Sequence, residues 1–223
     1  MLGADKFVSY STTAGPHLEI FERYYRRLGL LDMYNWDIPS NMSTYYRGQY
    51  ALIQDCIYRY MFQSKYIALV NVDEFIFPRR HNNLLDLLSQ LNCEDSGQFL
   101  FQNRFFPINL QQNKRIAENE MLKALESKVL SNIMKEDKQW GFVYRPKMIV
   151  NPRKIIIGQI HTVEEMIPGA KTCRVPASLA AMHHYRKWQV RDDVPIVEDT
   201  TAHRFLDKIQ KRLLTMYHNF SLI

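Results

Sequence analysis

Residues 66–70, Tyr-Ile-Ala-Leu-Val, form a continuous apolar run too short for a helix of its own, and Asn71, Val72, Asp73 and Glu74 follow at once. An unbroken apolar run of that length fits a central strand covered on both faces, which obliges the rest of the chain to supply the cover. The preceding residues do so. Residues 6–10 read as a short strand followed by a Ser-Thr-Thr-Ala-Gly-Pro loop. From Pro16 to about Leu28, Leu18, Phe21, Tyr24, Tyr25 and Leu28 recur at helical spacing, with proline at the start and Gly29 just past the end. Residues 30–36 return as a strand. Thr44 to about Gln63 form a second helix that turns Tyr46, Tyr50, Ile53, Ile57 and Tyr60 inward.

The order strand, helix, strand, helix, strand predicts right-handed crossovers and an α/β fold with an open, mostly parallel sheet flanked by helices. Ligands of such sheets bind outside the carboxyl ends of the strands, where Asn-Val-Asp-Glu falls. Further on, residues 83–91 predict a short helix and 97–108 one or two strands. The polar stretch 111–138 reads either as a mobile insertion or lid or as an amphipathic surface helix with loops. Strand signals resume at 140–145, 147–150, 154–163 and 177–185, and a terminal helix starts near Thr201. The 223 residues, 46% hydrophobic with 8 Gly and 9 Pro, suit one packed domain over 1–223.

The formal charge of +6 favours anionic partners, but the cations are spread, and clusters such as Arg26-Arg27 and Arg79-Arg80 are too short for a nucleic-acid stripe. No run of 18 apolar residues and no leader pattern is visible. Three cysteines, Cys56, Cys93 and Cys173, leave at least one unpaired and do not by themselves fix the redox compartment. Asn41-Met42-Ser43 and Asn219-Phe220-Ser221 are glycosylation acceptor patterns, of a kind that also arises by chance. P-loops, dinucleotide glycine fingerprints, serine nucleophile elbows, Cys-x-x-Cys pairs and His-Glu-x-x-His are absent. Phosphate charge would therefore fall to a metal and to cationic side chains.

Asn71 and Asp73, two apart, can face one way and offer hard oxygen donors suited to magnesium or manganese. The plain alternative is that Asp73 and Glu74 cap the next turn or pair with Arg79 and Arg80. Past the end of a strand the two carboxylates can diverge toward one crevice. In Ala-Met-His-His-Tyr-Arg-Lys-Trp, residues 181–188, one imidazole can reach a metal while Arg186 or Lys187 meets phosphate; two ordinary sheet-edge histidines are the alternative. His161 ends an apolar strand and can line the same mouth. Of Arg145, Lys147, Arg153 and Lys154, Lys147 is placed by position to face a ligand.

Taken in order, LGADKFVSYSTT, YRGQYALIQDCIYRYMFQSKYIALVNVDEFIFPR, FLFQNRFF, PKMIVNP, IHTV and MHHYR resemble glycosyltransferase family 92 over nearly the whole chain. The resemblance implies a GT-A type, Rossmann-like and inverting transferase. Its donor would be UDP-galactose, its ion manganese or magnesium, and its acceptor a glycan on a glycoprotein. It places the protein in the Golgi or secretory lumen, behind an N-terminal membrane anchor and an earlier strand that this chain lacks. By that analogy Asp73 binds metal and diphosphate, Asn71 lies near the ribose or metal, and His184 is a later metal ligand. Arg47, Gln49, Asp55 and Lys147 lie on the nucleotide side, and Glu74 and His161 near donor sugar or acceptor. The usual GT-A motif is Asp-x-Asp, and Asn71 stands at its first position here, so the site has one negative charge fewer. An inverting transfer needs a base on the acceptor hydroxyl, for which Asp137, Glu164 and Glu165 are candidates, each more readily read as a surface charge. Two rival readings are a non-catalytic glycan-binding or scaffolding domain, favoured by Asn71, and a basic nucleic-acid module, which fits only the net charge.

Overall fold

The structure is a computed structural model that describes residues 2–11, 15–39, 41–110, 127–187, 189–190 and 193–220. The Ser-Thr-Thr-Ala loop, most of the polar 111–138 stretch and Ser221 of the second acceptor pattern fall wholly or partly outside them. The first half follows the periodicity closely. Strand β1 (Phe7–Ser11) runs parallel to β2 (Leu31–Asn35), with α1 (Pro16–Arg27) between them. Proline opens α1, and Gly29 at φ 68 supplies the left-handed residue that lets the chain turn back.

The second helix is shorter than its pattern. A tight turn, Tyr45–Gly48, precedes α2 (Gln49–Tyr60). In that turn Tyr46, Arg47 and Gly48 are all left-handed, at φ 43, 53 and 72. The turn swings Tyr46 out of the helix register, so Tyr46 and Tyr50 are exposed, while Ile57 and Tyr60 stay buried. Tyr10 donates to Asp55 at 2.5 Å, and the Tyr60 hydroxyl donates to Asp32, so α2 is fastened to both opening strands. Gly158 lies under α2, where a β-carbon would overlap the end of the Ile57 side chain and force it to shift.

The apolar run becomes β3 (Ile67–Leu69), and here the structure corrects the expectation of a doubly covered central strand. Among the described residues β3 is the end strand of a four-stranded sheet ordered β11-β5-β8-β3, formed by β5 (Ser96–Phe101), β8 (Lys147–Val150) and β11 (Lys171–Val175). Ile67 and Leu69 pack inward, whereas Ala68 and Val70 are exposed. The period of two is present, but apolar residues occupy the outward positions and conceal it.

A second sheet, ordered β4-β12-β6, holds β4 (Glu74–Pro78), β6 (Asn103–Pro107) and β12 (Ala180–Arg186). Two continuous stretches join the sheets: β5 passes into β6 through Gln102, whose carbonyl accepts from Met182 N–H at 2.9 Å, and β3 passes into β4 through residues 70–73. Smaller pairs complete the ladders, β9 (Ile155–Gly158) with β10 (Val163–Met166) and β7 (Met134–Glu136) with β13 (Ile196–Glu198). Among the described residues three strand pairs are parallel, β1–β2, β11–β5 and β12–β6, and the other five are antiparallel. The fold is thus mixed α/β with divided sheets rather than one mostly parallel sheet. Between β9 and β10 the link is too short for a crossover helix, which makes that pair antiparallel; the other antiparallel pairs join strands distant in sequence, whose direction the hydrophobic pattern does not specify. Residues 140–145, expected as a strand, form turns.

Core packing ties the sheets together. Ile76, Met182 and Ala180 of the second sheet pack with Phe99, Phe101, Ile149 and Val175 of the first, beneath α3 (Leu84–Gln90). Asn83 caps α3 by accepting Asp86 N–H at 2.8 Å. Cys93 and Cys173 form a disulfide with Cα atoms 5.8 Å apart, and Cys56 is a buried free thiol. Beyond α4 (Lys128–Ser131), the chain ends in a 3-10 turn (Thr201–Phe205) and α5 (Leu206–Phe220). No helix among the described residues is long and apolar enough to cross a membrane.

Candidate functional site

The site forms where the two sheets meet. Leu69 pairs with Met148 and Glu74 with His184, so the end of β3, the start of β8 and the junction 70–73 converge on the β4–β12 ladder. Alternation along β12 then separates the adjacent histidines. His183 turns toward the apolar side, stacked on Phe106 at 4.3 Å, edge-on to Phe77, and 3.2 Å from the Tyr185 hydroxyl. Burial there holds its pKa down at about 3. His184 turns the other way, toward the carboxylates.

Asp73, Glu74 and His184 place ligand atoms within 4.8 Å of one another. His184 Nε2 is 3.2 Å from Asp73 Oδ2, and its Nδ1 is 3.7 Å from Glu74 Oε1. The two carboxylates converge rather than diverge, but their settings differ. The Asp73 side chain is 40% exposed and that of Glu74 only 2%. Glu74 Oε2 is held by Lys147 Nζ at 3.1 Å and by Asn71 N–H at 2.8 Å. The Asn71 side chain in turn accepts from Gln49 Nε2 at 3.2 Å, which links the junction to the start of α2. Asp73 is backbone-anchored as well, its carbonyl accepting Tyr185 N–H at 2.9 Å.

Burial lowers the pKa of His184, against the opposing pull of Glu74 and Asp73. A neutral imidazole with Nε2–H toward Asp73 leaves the Nδ1 lone pair facing a carboxylate, and Nδ1 has no hydrogen-bond partner. Two carboxylates and an unprotonated ring nitrogen gathered against a single lysine are a donor set that a divalent cation fits. The residues present therefore suit the manganese or magnesium expected above.

Other expected residues are distributed unevenly. His161 Nδ1 lies 3.1 Å from Pro146 O, next to Lys147; burial and the charge of Lys147 lower its pKa, while Glu74 acts in the opposite sense. Asp55 is engaged by Arg59 at 2.8 Å and by Tyr10, and the Arg59 hydrogen bond keeps its carboxyl below the usual range. Arg47 is exposed in the left-handed turn, its carbonyl accepting from Trp36 Nε1 at 3.2 Å. Asp137 pairs with Lys135 at 3.8 Å. Glu164 accepts from Gln159, and both Glu164 and Glu165 lie on exposed positions of β10. Among the described residues no hydrogen bond or ion pair joins these three carboxylates to the cluster.

Sequence reasoning missed an aromatic group beside His184. Phe105, on β6 across from β12, lies over the His184 ring at 5.3 Å. Trp140 and Tyr144, stacked at 3.9 Å, both meet Phe105 edge-on. Their spacing of four residues was the available signal, obscured by reading 140–145 as a strand.

Residues 1–219 match the family model described as Glycosyltransferase family 92. A glycosyltransferase family 92 protein of Caenorhabditis elegans is 27% identical over 72% of this chain and 32% of its own length. Two galactan β-1,4-galactosyltransferases of Arabidopsis thaliana are each 27% identical, one over 40% of this chain and 18% of its own length, the other over 38% and 16%. The chain thus spans about a third or less of the curated relatives it matches.

Proposed function

The chain belongs to glycosyltransferase family 92, and we propose that it transfers galactose from UDP-galactose to a glycan acceptor at the Asp73–Glu74–His184 cluster. The observation that carries this reading is the cluster itself: one open carboxylate, one buried carboxylate tied to Lys147, and an imidazole with an unpartnered nitrogen. Asp73 and His184 are the residues to hold a divalent ion, which when bound neutralises the charge that builds on a leaving diphosphate. Lys147 and Asn71 N–H fix Glu74, so the cluster keeps its shape before any ligand arrives. Asn71, bridged to Gln49, leads from the cluster toward α2 and the exposed Arg47, the side assigned to the nucleotide.

The parallel β1–β2 pair covered by α1, together with an acid-bearing junction after β3, supports a GT-A arrangement. The galactosyltransferase names of the Arabidopsis relatives support galactose as the sugar and a glycan as the acceptor. A disulfide supports an oxidising compartment, in keeping with the secretory lumen.

The test is transfer of labelled galactose from UDP-galactose to β-1,4-galacto-oligosaccharides in the presence of manganese. A product one hexose longer, abolished by chelator and by Asp73→Ala, is expected. Oligosaccharide binding without transfer, indifferent to chelator and to Asp73→Ala, would replace this reading with that of a non-catalytic glycan-binding domain.

A further inference from the structure

We propose that Tyr144 is the platform on which the acceptor glycan stacks one of its sugar rings, a role that rests on the transferase reading above. The segment from Asp137 to Pro146 is pinned at both ends. At its start Trp140 Nε1 donates to the buried Glu136 carboxylate at 3.2 Å. At its end Pro146 O lies 3.1 Å from His161 Nδ1, and the next residue, Lys147, holds Glu74. The segment is therefore a fixed rim of the cluster.

Within that rim the aromatic rings are not equivalent. Phe105 is fully buried against His184. Trp140 has Tyr144 stacked on it at 3.9 Å and Lys138 Nζ 4.0 Å from its ring centroid, and Phe105 meets it edge-on. Tyr144 is stacked on Trp140 and meets Phe105 edge-on, yet remains 37% exposed. A flat, supported and half-open aromatic face suits the apolar C–H face of a pyranose.

Position selects the acceptor rather than the nucleotide as occupant. Asn71 and Gln49 lead from the carboxylates toward α2, whereas Phe105 lies on β6, separated from β4 by β12. A nucleotide on the first side and a glycan on the second would meet at Asp73 and His184. Through Phe105, Tyr144 is one ring removed from His184.

Two measurements test the platform. In steady-state transfer to β-1,4-galactotetraose, Tyr144→Ala should raise the acceptor KM roughly three- to tenfold, the loss of one stacking contact, with donor KM unchanged and Tyr144→Phe close to wild type. An acceptor KM unchanged in Tyr144→Ala would overturn the proposal. The second measurement reads binding alone. In a Trp36→Phe, Trp188→Phe background, adding galactotetraose should change Trp140 emission, and Tyr144→Ala should weaken that titration by a similar factor. An equally tight titration in Tyr144→Ala would overturn the platform whether or not the chain transfers sugar, while absence of transfer by the wild type with an intact titration would defeat only the transferase reading.

Discussion

At the scale of single residues, the cluster depends on a buried ion pair between Lys147 and Glu74, both side chains 2% exposed. Removing one member of such a pair leaves the other charge without its counter-charge, so Lys147→Met should lower unfolding free energy by about 3–5 kcal/mol. Urea denaturation checks this, and Lys147→Met with Glu74→Gln should recover part of the loss; equal stability of single and double variants would contradict it. Asp73 and His184 were legible in the sequence because acids and histidines end apolar runs there. The Lys147–Glu74 pair was not, since it joins residues 73 positions apart through strand pairing rather than local spacing. Asp55, which the family resemblance put on the nucleotide side, has its oxygens engaged by Arg59 and by Tyr10, the latter a contact that no local spacing announces.

At the scale of elements, two cross-links hold segments that have little regular structure of their own. Cys93–Cys173 ties the end of α3 to β11 across a sequence separation of 80. Reducing it, or the Cys93→Ala, Cys173→Ala variant, should cost about 2–5 kcal/mol, read as a lower thermal midpoint. The second cross-link is Asp199, paired with Arg79 at 3.0 Å and accepting from Thr201. Burial alone would raise the Asp199 carboxyl, but Thr201, His183 and Arg79 outweigh it and set it at about 2. Because that value lies below the ordinary carboxylate range, its stabilisation is complete above about pH 4 and is lost as pH falls toward 2. Asp199→Asn should therefore show a smaller drop in urea midpoint between pH 6 and pH 3 than wild type. Helices α1 and α3 were legible almost to the residue, α1 through its proline and Gly29, whereas α2 and α5 start later than their patterns, behind the turns Tyr45–Gly48 and Thr201–Phe205. Strands of three to five residues such as β7, β10, β11 and β13 were not, because tertiary pairing rather than pattern selects them.

At the scale of the whole molecule, the cluster follows from two sheets joined by shared stretches of chain rather than from a single open sheet. The continuous stretches β3–β4 and β5–β6 each leave one sheet and enter the other. Their junctions bring Asp73 and Glu74 from one, and Phe105 from the other, to opposite sides of His184 on β12. The order of motifs made the family legible; the mixed strand directions were not, since pattern fixes a strand's faces but not its neighbour's direction. The most direct test of the cluster is calorimetric titration of manganese into the wild-type chain and into Asp73→Asn, with UDP present and absent. The structure predicts binding to wild type that tightens with UDP, and at least tenfold weaker binding to Asp73→Asn. Equal manganese affinity in the two proteins would contradict the assignment of this site.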